Sequence, residues 1–554
     1  MARLLKEERW RDRKGAKFIH ILPTMNHDCV SRFRCKVQQI LAVCAVIMAL
    51  PVTADVRLPR IFSDGMMLQR DLPVRVWGWA DAGEAVCVTL AGKSATAKTD
   101  TKGEWFIELP AFKTGENLEL TVKGKNSRTL KNILIGDIWV CSGQSNMEMA
   151  LNGCLGAPED IKAANHPKIR RIKIGRLKTG VTEADAPIAT SWQSCSPATA
   201  AQFTAVGFYF AREIQQKTGV PIGIVDVNWG GTAIEPWVPG EGLEMVSELK
   251  PQLLAKQEAL KAYQTQLSSA LSAMEAWAAR SRKELAKGVL PGSAPGLPTA
   301  PGDNWSGLYN GMIHPLVRFP IKGALWYQGE SNGKEGKTYY DKMRALIGGW
   351  RKNWGQGDFP FYFVQLACYQ NVTEDPAGAD GWAGLREAQT QSLALPNTGM
   401  AVIIDTVPLA ERANIHPKNK YDAGLRLARW ALVRDYGQKQ LVVSGPMFKA
   451  LKIEGGRARL VFDHVGTGLM VGRKDGRSPA AENKEGKLKR FAIAGADKKW
   501  FWAEAVIEGN AVSVSSPEVK EPVAVRYAYQ MNPDGANLYN REGLPASPFR
   551  TDVW

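Results

Sequence analysis

Three short apolar, β-prone runs in this chain each empty into a loop of glycines, amides and hydroxyls, and that repetition narrows the fold more than any other feature. Residues 138–141 hand over to Gly143-Gln144-Ser145-Asn146, and residues 221–227 to Asn228-Trp229-Gly230-Gly231-Thr232. Residues 323–327 lead to Gln328-Gly329-Glu330-Ser331-Asn332. Apolar runs without polar alternation are strands covered on both faces, as in parallel sheets. Between them lie stretches of helical period, 203–217 with Gly219 as its C-cap, then 338–354, 385–394 and 421–436, and further strands at 359–366 and 401–404. The expected fold is therefore α/β. Open α/β sheets place their chemistry outside the carboxyl ends of the strands, so the three loops are expected to converge.

The flanks read differently. Residues 55–135 alternate in short strands (74–79, 86–90, 118–122) between Gly/Asp/Asn/Lys turns, the pattern of an N-terminal β-sandwich. Residues 440–554 return to short alternating strands and form a C-terminal β-rich domain. The α/β part is then split into 136–240 and 304–439 by an insertion at 241–303. Residues 241–286 of it are rich in Ala, Leu, Gln, Glu and Lys and predict a helix, with Leu253, Leu260, Tyr263, Leu267 and Leu271 on one face. Its remainder is a Pro/Gly/Ala-rich loop. Residues 1–54 read as a secretory leader: Arg32, Arg34 and Lys36 precede the apolar run 40–50, and Val52-Thr53-Ala54 fits a cleavage site after Ala54, with Met25 as an alternative start. The expected location is outside the cytoplasm, secreted or periplasmic, with no stable membrane span once the leader is removed.

Charge narrows the partners. Of 71 Lys/Arg and 55 Asp/Glu, ten and four lie in the leader, so residues 55–554 carry a net charge of +10. That surplus is mild, and no dense basic cluster with interleaved aromatics marks a nucleic-acid binder. Five cysteines remain beyond the leader, scattered and without a CxxC pair, so neither a zinc site nor a disulfide framework is expected. One bridge, for example Cys154 to Cys195, is open to an oxidising compartment, but the sequence does not specify it. No cofactor or metal is expected.

A serine, paired glycines, side-chain amides and an imidazole on neighbouring loops form a set that acyl transfer needs: a hydroxyl nucleophile, a base within reach and preorganised N–H donors. Taken alone, the Ser145 stretch fits better a Ser/Asn turn that merely caps a helix. Six histidines are present; His20 and His27 lie in the leader, His166 and His464 in polar turns, and His314 before a strand. His416 follows a strand end and is the candidate base.

At these residues the chain resembles the sialate O-acetylesterases of the SGNH hydrolase superfamily. GDIWVCSGQSNMEM resembles the nucleophile block, WGGTAIEPW the glycine block, WYQGESN the third block and IHPKNK the histidine block; the ending NLYNREGLPASPFRTDVW is similar to the family's C-terminus. The resemblance implies a flavodoxin-like three-layer α/β/α core with flanking β domains. It further implies Ser145 as nucleophile and His416 as general base, with the Ser145 N–H, a glycine N–H from Gly230 or Gly231, and the Gln328 amide as oxyanion hole. The implied activity is removal of O-acetyl groups from carbohydrates, sialic acids first. Acetylated xylan or another glycan is the nearest alternative, and a carbohydrate-binding protein without activity the more distant one.

One departure stands out. The superfamily usually carries an aspartate two or three residues before the histidine to orient the imidazole, and Asn414 and Ala413 stand there instead. Either a Ser–His dyad operates or another acid serves, with Glu330 the first candidate and Asp405 and Glu411 behind it.

Overall fold

The computed structural model describes residues 55–298, 301 and 304–554; the leader and its cleavage site lie outside the described residues. Seven strands form the backbone of the central sheet: β1 (Ser127–Gly143), β2 (His166–Ile174), β3 (Ile188–Cys195), β4 (Ile222–Asn228), β5 (Gly323–Tyr327), β6 (Phe361–Val364) and β7 (Thr398–Ala401). Their order is β7-β6-β5-β1-β4-β2-β3. Every neighbouring pair is parallel except β2 with β3. β1 and β4 are neighbours although β2 and β3 lie between them in the chain, so the sheet winds in two directions away from β1.

The strands are apolar throughout because both faces are covered. On β1, Ile138 and Val140 belong to one core while Trp139 and Cys141 belong to the other. The second core is closed by helices α2 (Ala205–Thr218) and α6 (Lys420–Arg434), through Phe208, Ile214, Leu427 and Trp430. The first is closed by α4 (Thr338–Trp354) and α5 (Gly381–Gln391), through Met343, Leu346, Trp350 and Leu385. The result is the expected three-layer α/β/α core. α2 ends on Gly219 in the left-handed region (φ 72°). α5 starts where the Asp380 carboxylate accepts the Ala383 N–H at 2.8 Å, a side-chain N-cap.

β1 is 17 residues long and serves two structures. Its first half pairs with Gly115–Lys123 and Met67–Gln69 in the N-terminal β-rich region, and its second half is the centre of the α/β sheet. The loop that carries Ser145 thus sits at the end of a strand anchored in both. The C-terminal β-rich region has its own core around Leu460, Ile493, Val512 and Tyr527. It is fastened to the α/β core by the fully buried Arg386, whose guanidinium donates to the carbonyls of Leu366, Ala367, Gln530 and Met531.

The insertion departs from the single helix expected over 241–286. A short helix, Gly240–Met245, stops at Val246, whose backbone is extended; a single turn, Ser247–Leu249, leads into α3 (Lys250–Ala286). Pro251 explains the restart, since proline suits the first helical turn and not its interior. Of the expected apolar face, Leu253, Leu260, Tyr263 and Leu267 are half-buried and Leu271 is exposed. Part of the cover comes from the following loop, where Gly292 O accepts the Trp277 indole N–H at 2.8 Å.

Candidate functional site

The site begins with a forced turn. Gly143, the last residue of β1, has φ 134°, and a Cβ there would lie 2.2 Å from Tyr327 O, so only glycine allows β1 to end against β5. The Gln144 N–H then donates to Tyr327 O at 3.1 Å, and the one-turn helix α1 (Ser145–Glu148) starts immediately after. Ser145 is its first residue, and its N–H has no hydrogen-bond partner among the described residues. His416 reaches it from the loop before α6, with Nε2 2.8 Å from Ser145 Oγ. Asn414 Oδ1 accepts the His416 backbone N–H at 2.9 Å and so fixes the bend on which the imidazole stands. Burial, and then the charge of Lys420, hold the His416 pKa below the usual imidazole value, which favours the neutral, proton-accepting ring.

The glycine loop closes on the same serine. A Cβ on Gly230 would lie 3.3 Å from Ser145 Cβ. The Gly230 N–H, however, already donates to Glu148 Oε2 at 2.8 Å, while Glu148 Oε1 accepts from Arg176 at 2.6 Å. Arg176 stacks over the Trp229 ring at 5.4 Å. Gly231 is left-handed (φ 76°) with open space where a side chain would be, and its N–H has no partner among the described residues. Of the two glycines, Gly231 therefore has the available amide.

Gln328 is placed differently from what the resemblance implied. It is fully buried, and its two N–H groups are spent on Asn332 Oδ1, Gln144 Oε1 and Thr232 O at 2.7, 3.0 and 3.2 Å. Its carbonyl oxygen accepts the Tyr339 hydroxyl at 2.6 Å. It ties the nucleophile loop, the glycine loop and the third loop together, with no N–H left over for an oxyanion.

None of the three candidate acids hydrogen-bonds to His416. Asp405 is in a bidentate pair with Arg426 at 2.6 and 2.8 Å, and Glu411 meets Lys418 at 3.3 Å. Glu330 accepts from Asn146 Nδ2 through Oε1, while its Oε2 is shielded from solvent and has no partner among the described residues. Asn146 also donates to Ile415 O at 3.0 Å and accepts from the ammonium of Lys420. Asn146 and Lys420 are both 1% exposed. No hydrogen bond to His416 Nδ1 is formed among the described residues.

Sequence reasoning passed over Asn146, Lys420, Glu148 and Arg176. Glu148 stands three residues after Ser145 at the start of a helix, a spacing that puts it beside the nucleophile, and this was a usable signal. Lys420 had none, because lysine is almost never fully buried unless paired. The cysteines beyond the leader are all free thiols, Cys154 and Cys195 included, so the bridge considered for them is not formed. A cavity of about 680 Å³ opens beside the glycine loop, walled by Ala233, Glu235, Pro236, Trp305 and Lys342.

Residues 135–291 and 296–432 match the family described as carbohydrate esterase, sialic acid-specific acetylesterase. Sialate O-acetylesterase of Mus musculus is 30% identical over 88% of this chain and 93% of its own length. That of Homo sapiens is 26% identical over 89% and 92%. Among solved structures, a carbohydrate acetylesterase from Xanthomonas citri matches with a TM-score of 0.74 and 38% identity, covering 90% of this chain and 100% of that one.

Proposed function

Because the chain belongs to the sialic acid-specific acetylesterase family of carbohydrate esterases, we propose that it releases acetate from O-acetylated sugars, sialic acids first, through an acetyl-enzyme on Ser145. The observation that carries this reading is the 2.8 Å approach of His416 Nε2 to Ser145 Oγ at the end of β1. The ring, kept neutral by its surroundings, accepts the hydroxyl proton as Oγ attacks the acetyl carbonyl carbon. The oxyanion that forms is met by two amides with no other partner, Ser145 N–H and Gly231 N–H. His416 then returns the proton to the departing sugar oxygen and the acetyl group stays on Ser145. In the second half a water gives a proton to the same nitrogen as its oxygen attacks the acyl carbon; the bond to Ser145 Oγ then breaks, His416 gives that proton back to Oγ, and acetate leaves. The pair works as a Ser–His dyad in direct contact.

The cavity past the glycine loop has the volume of a small-ligand site but none of Ser145, His416, Gly230 or Gly231 on its wall, so its half-buried Trp305 ring suits the apolar face of a sugar unit beyond the one that carries the acetyl group. Secretion or periplasmic residence follows from the leader read in the sequence, and no helix among the described residues is long and apolar enough to cross a membrane. Acetate release from a panel of O-acetylated sialic acids and acetylated xylo-oligosaccharides tests the substrate. The expected result is a higher kcat/KM on the sialic acids; a preference for the neutral oligosaccharides would move the assignment to plant-type glycans.

A further inference from the structure

Among the described residues the imidazole is hydrogen-bonded at Nε2 only, and the segments that hold it and Ser145 carry a set of buried polar groups that the dyad chemistry does not use. Asn146 is next to Ser145 in the chain, and Ile415 is next to His416. The bond from Asn146 Nδ2 to Ile415 O at 3.0 Å therefore joins the backbone of the nucleophile to that of the base. The same amide bridges two charges: it gives an N–H to Glu330 Oε1 and its oxygen to the Lys420 ammonium. That polarity matches an ionised carboxylate and a protonated amine, each with its proper partner. Lys420, the first residue of α6, lies 5.0 Å from the Tyr327 ring centroid, so its surroundings include an aromatic face as well as the amide.

We propose that Asn146, Lys420 and Glu330 are positioning residues for His416: Asn146 locks the base to the nucleophile's helix, and the Lys420–Glu330 charge pair that it bridges balances the electrostatic field at the imidazole, the task an adjacent aspartate performs elsewhere. This rests on the serine-esterase reading above. Among the described residues the charge that acts directly on the imidazole is that of Lys420, and Glu330 is joined to it through Asn146. Lys420 comes from α6 and Glu330 from the loop after β5; on the histidine's own loop Lys418 is paired with Glu411, and on the nucleophile's helix Glu148 is paired with Arg176. The Cys154 thiol and Tyr327 phenol nearby are neutral, burial pushing the thiol up to about 11 and the phenol well above its ordinary value. Burial also lowers Lys420 to about 8 and raises Glu330, and each charge offsets part of the cost of burying the other.

Two consequences have opposite sign. Lys420 opposes protonation of His416, so removing its charge lets the ring hold a proton to higher pH. Removing the Glu330 charge leaves Lys420 uncompensated and makes the imidazolium harder to form. A residue that only packs the loop would move neither limb of the pH profile, or would move both variants alike.

The test is the pH dependence of kcat/KM for a small acetyl ester, measured on the full chain for wild type, Lys420→Met, Glu330→Gln and Asn146→Ala, with Ser145→Ala as control. The acidic limb is expected to move up in Lys420→Met and down in Glu330→Gln. The Glu330→Gln kcat is expected to fall by about tenfold to a hundredfold, a part of the roughly 10²–10⁴ that a positioned general base supplies. Asn146→Ala is expected to lose kcat at little change in KM; if it does not fold, the two charge variants decide alone. Acidic limbs that coincide with wild type, or that shift in the same direction, overturn the proposal. Activity that survives Ser145→Ala overturns the esterase reading itself, and that outcome is separate.

Discussion

The two sides of Ser145 are built on different principles. On the base side the contact is one hydrogen bond, Ser145 Oγ to His416 Nε2, and the support behind it is buried, bridged and charged. On the acyl side the groups are amides, and the charge is half-exposed: Glu148 takes the Gly230 N–H and is itself held by Arg176, whose side chain is 51% exposed. Burial makes a charge costly to leave alone and sensitive to its partner, whereas water screens a charge at the surface. Substitutions on the base side should therefore disturb function far more than those on the acyl rim.

The largest effect is expected at the contact itself. Ser145→Ala and His416→Ala should each lower kcat by at least about three orders of magnitude while the fold is kept, and the double variant should be little worse than either, because the two act as a unit. Additive losses in the double variant would separate the pair. Next comes Gln328→Ala, which removes the junction of three loops. Leaving the buried partners Gln144, Asn332 and Tyr339 unsatisfied should cost about 1–3 kcal/mol of stability, visible as a lower Tm together with reduced kcat. A kcat loss with unchanged Tm would instead return Gln328 to the oxyanion hole.

On the acyl side, Glu148→Gln keeps an acceptor for Gly230 and removes a negative charge beside the developing oxyanion. Its kcat is expected to stay within about fivefold of wild type, since mutating one member of a half-exposed ion pair typically changes interactions by 1 kcal/mol or less. A loss as large as that of His416→Ala would erase the contrast between the two sides. Trp305→Ala should raise KM for an acetylated glycan and leave a small acetyl ester unaffected, which kinetics on both substrates will show.

pH offers a further lever. The His416 pKa is lowered by burial and by Lys420. Its neutral form is the active one, so activity is lost as pH falls through that lowered value. The acidic limb of kcat/KM is thus expected below the ordinary imidazole range, and a limb above that range would contradict the environment described.

The parts of this molecule that were legible in the sequence are those fixed by local chemistry. Gly143 to Ser145 had to be a strand-to-helix turn, the fully apolar β4 had to be an interior strand, and Gly219 had to end α2. Ser145 and His416 could be chosen because serine and histidine bring their chemistry wherever the fold places them. Gln328 was assigned a role by its motif, and the structure places its amide among buried partners that no motif encodes. Glu330 was picked for its charge, yet its bond goes to Asn146, a residue whose type suggests only a turn. Lys420 opens α6 and Glu330 lies some ninety residues earlier, in the loop after β5, so their pairing through Asn146 is a tertiary fact. The break at Val246 is not legible in the sequence, because composition favours helix on both sides of it and Pro251 fits the first turn of a helix.

The central claim is that the acyl group passes through Ser145. Rapid quenching of the enzyme during turnover of an acetyl ester, followed by mass analysis of its peptides, tests this most directly. A single acetyl group is expected on the peptide holding Ser145, forming and decaying with turnover and accumulating when His416 is replaced and an activated ester is used. Steady turnover with no acetyl on that peptide at any time, or with the label on another residue, would contradict it.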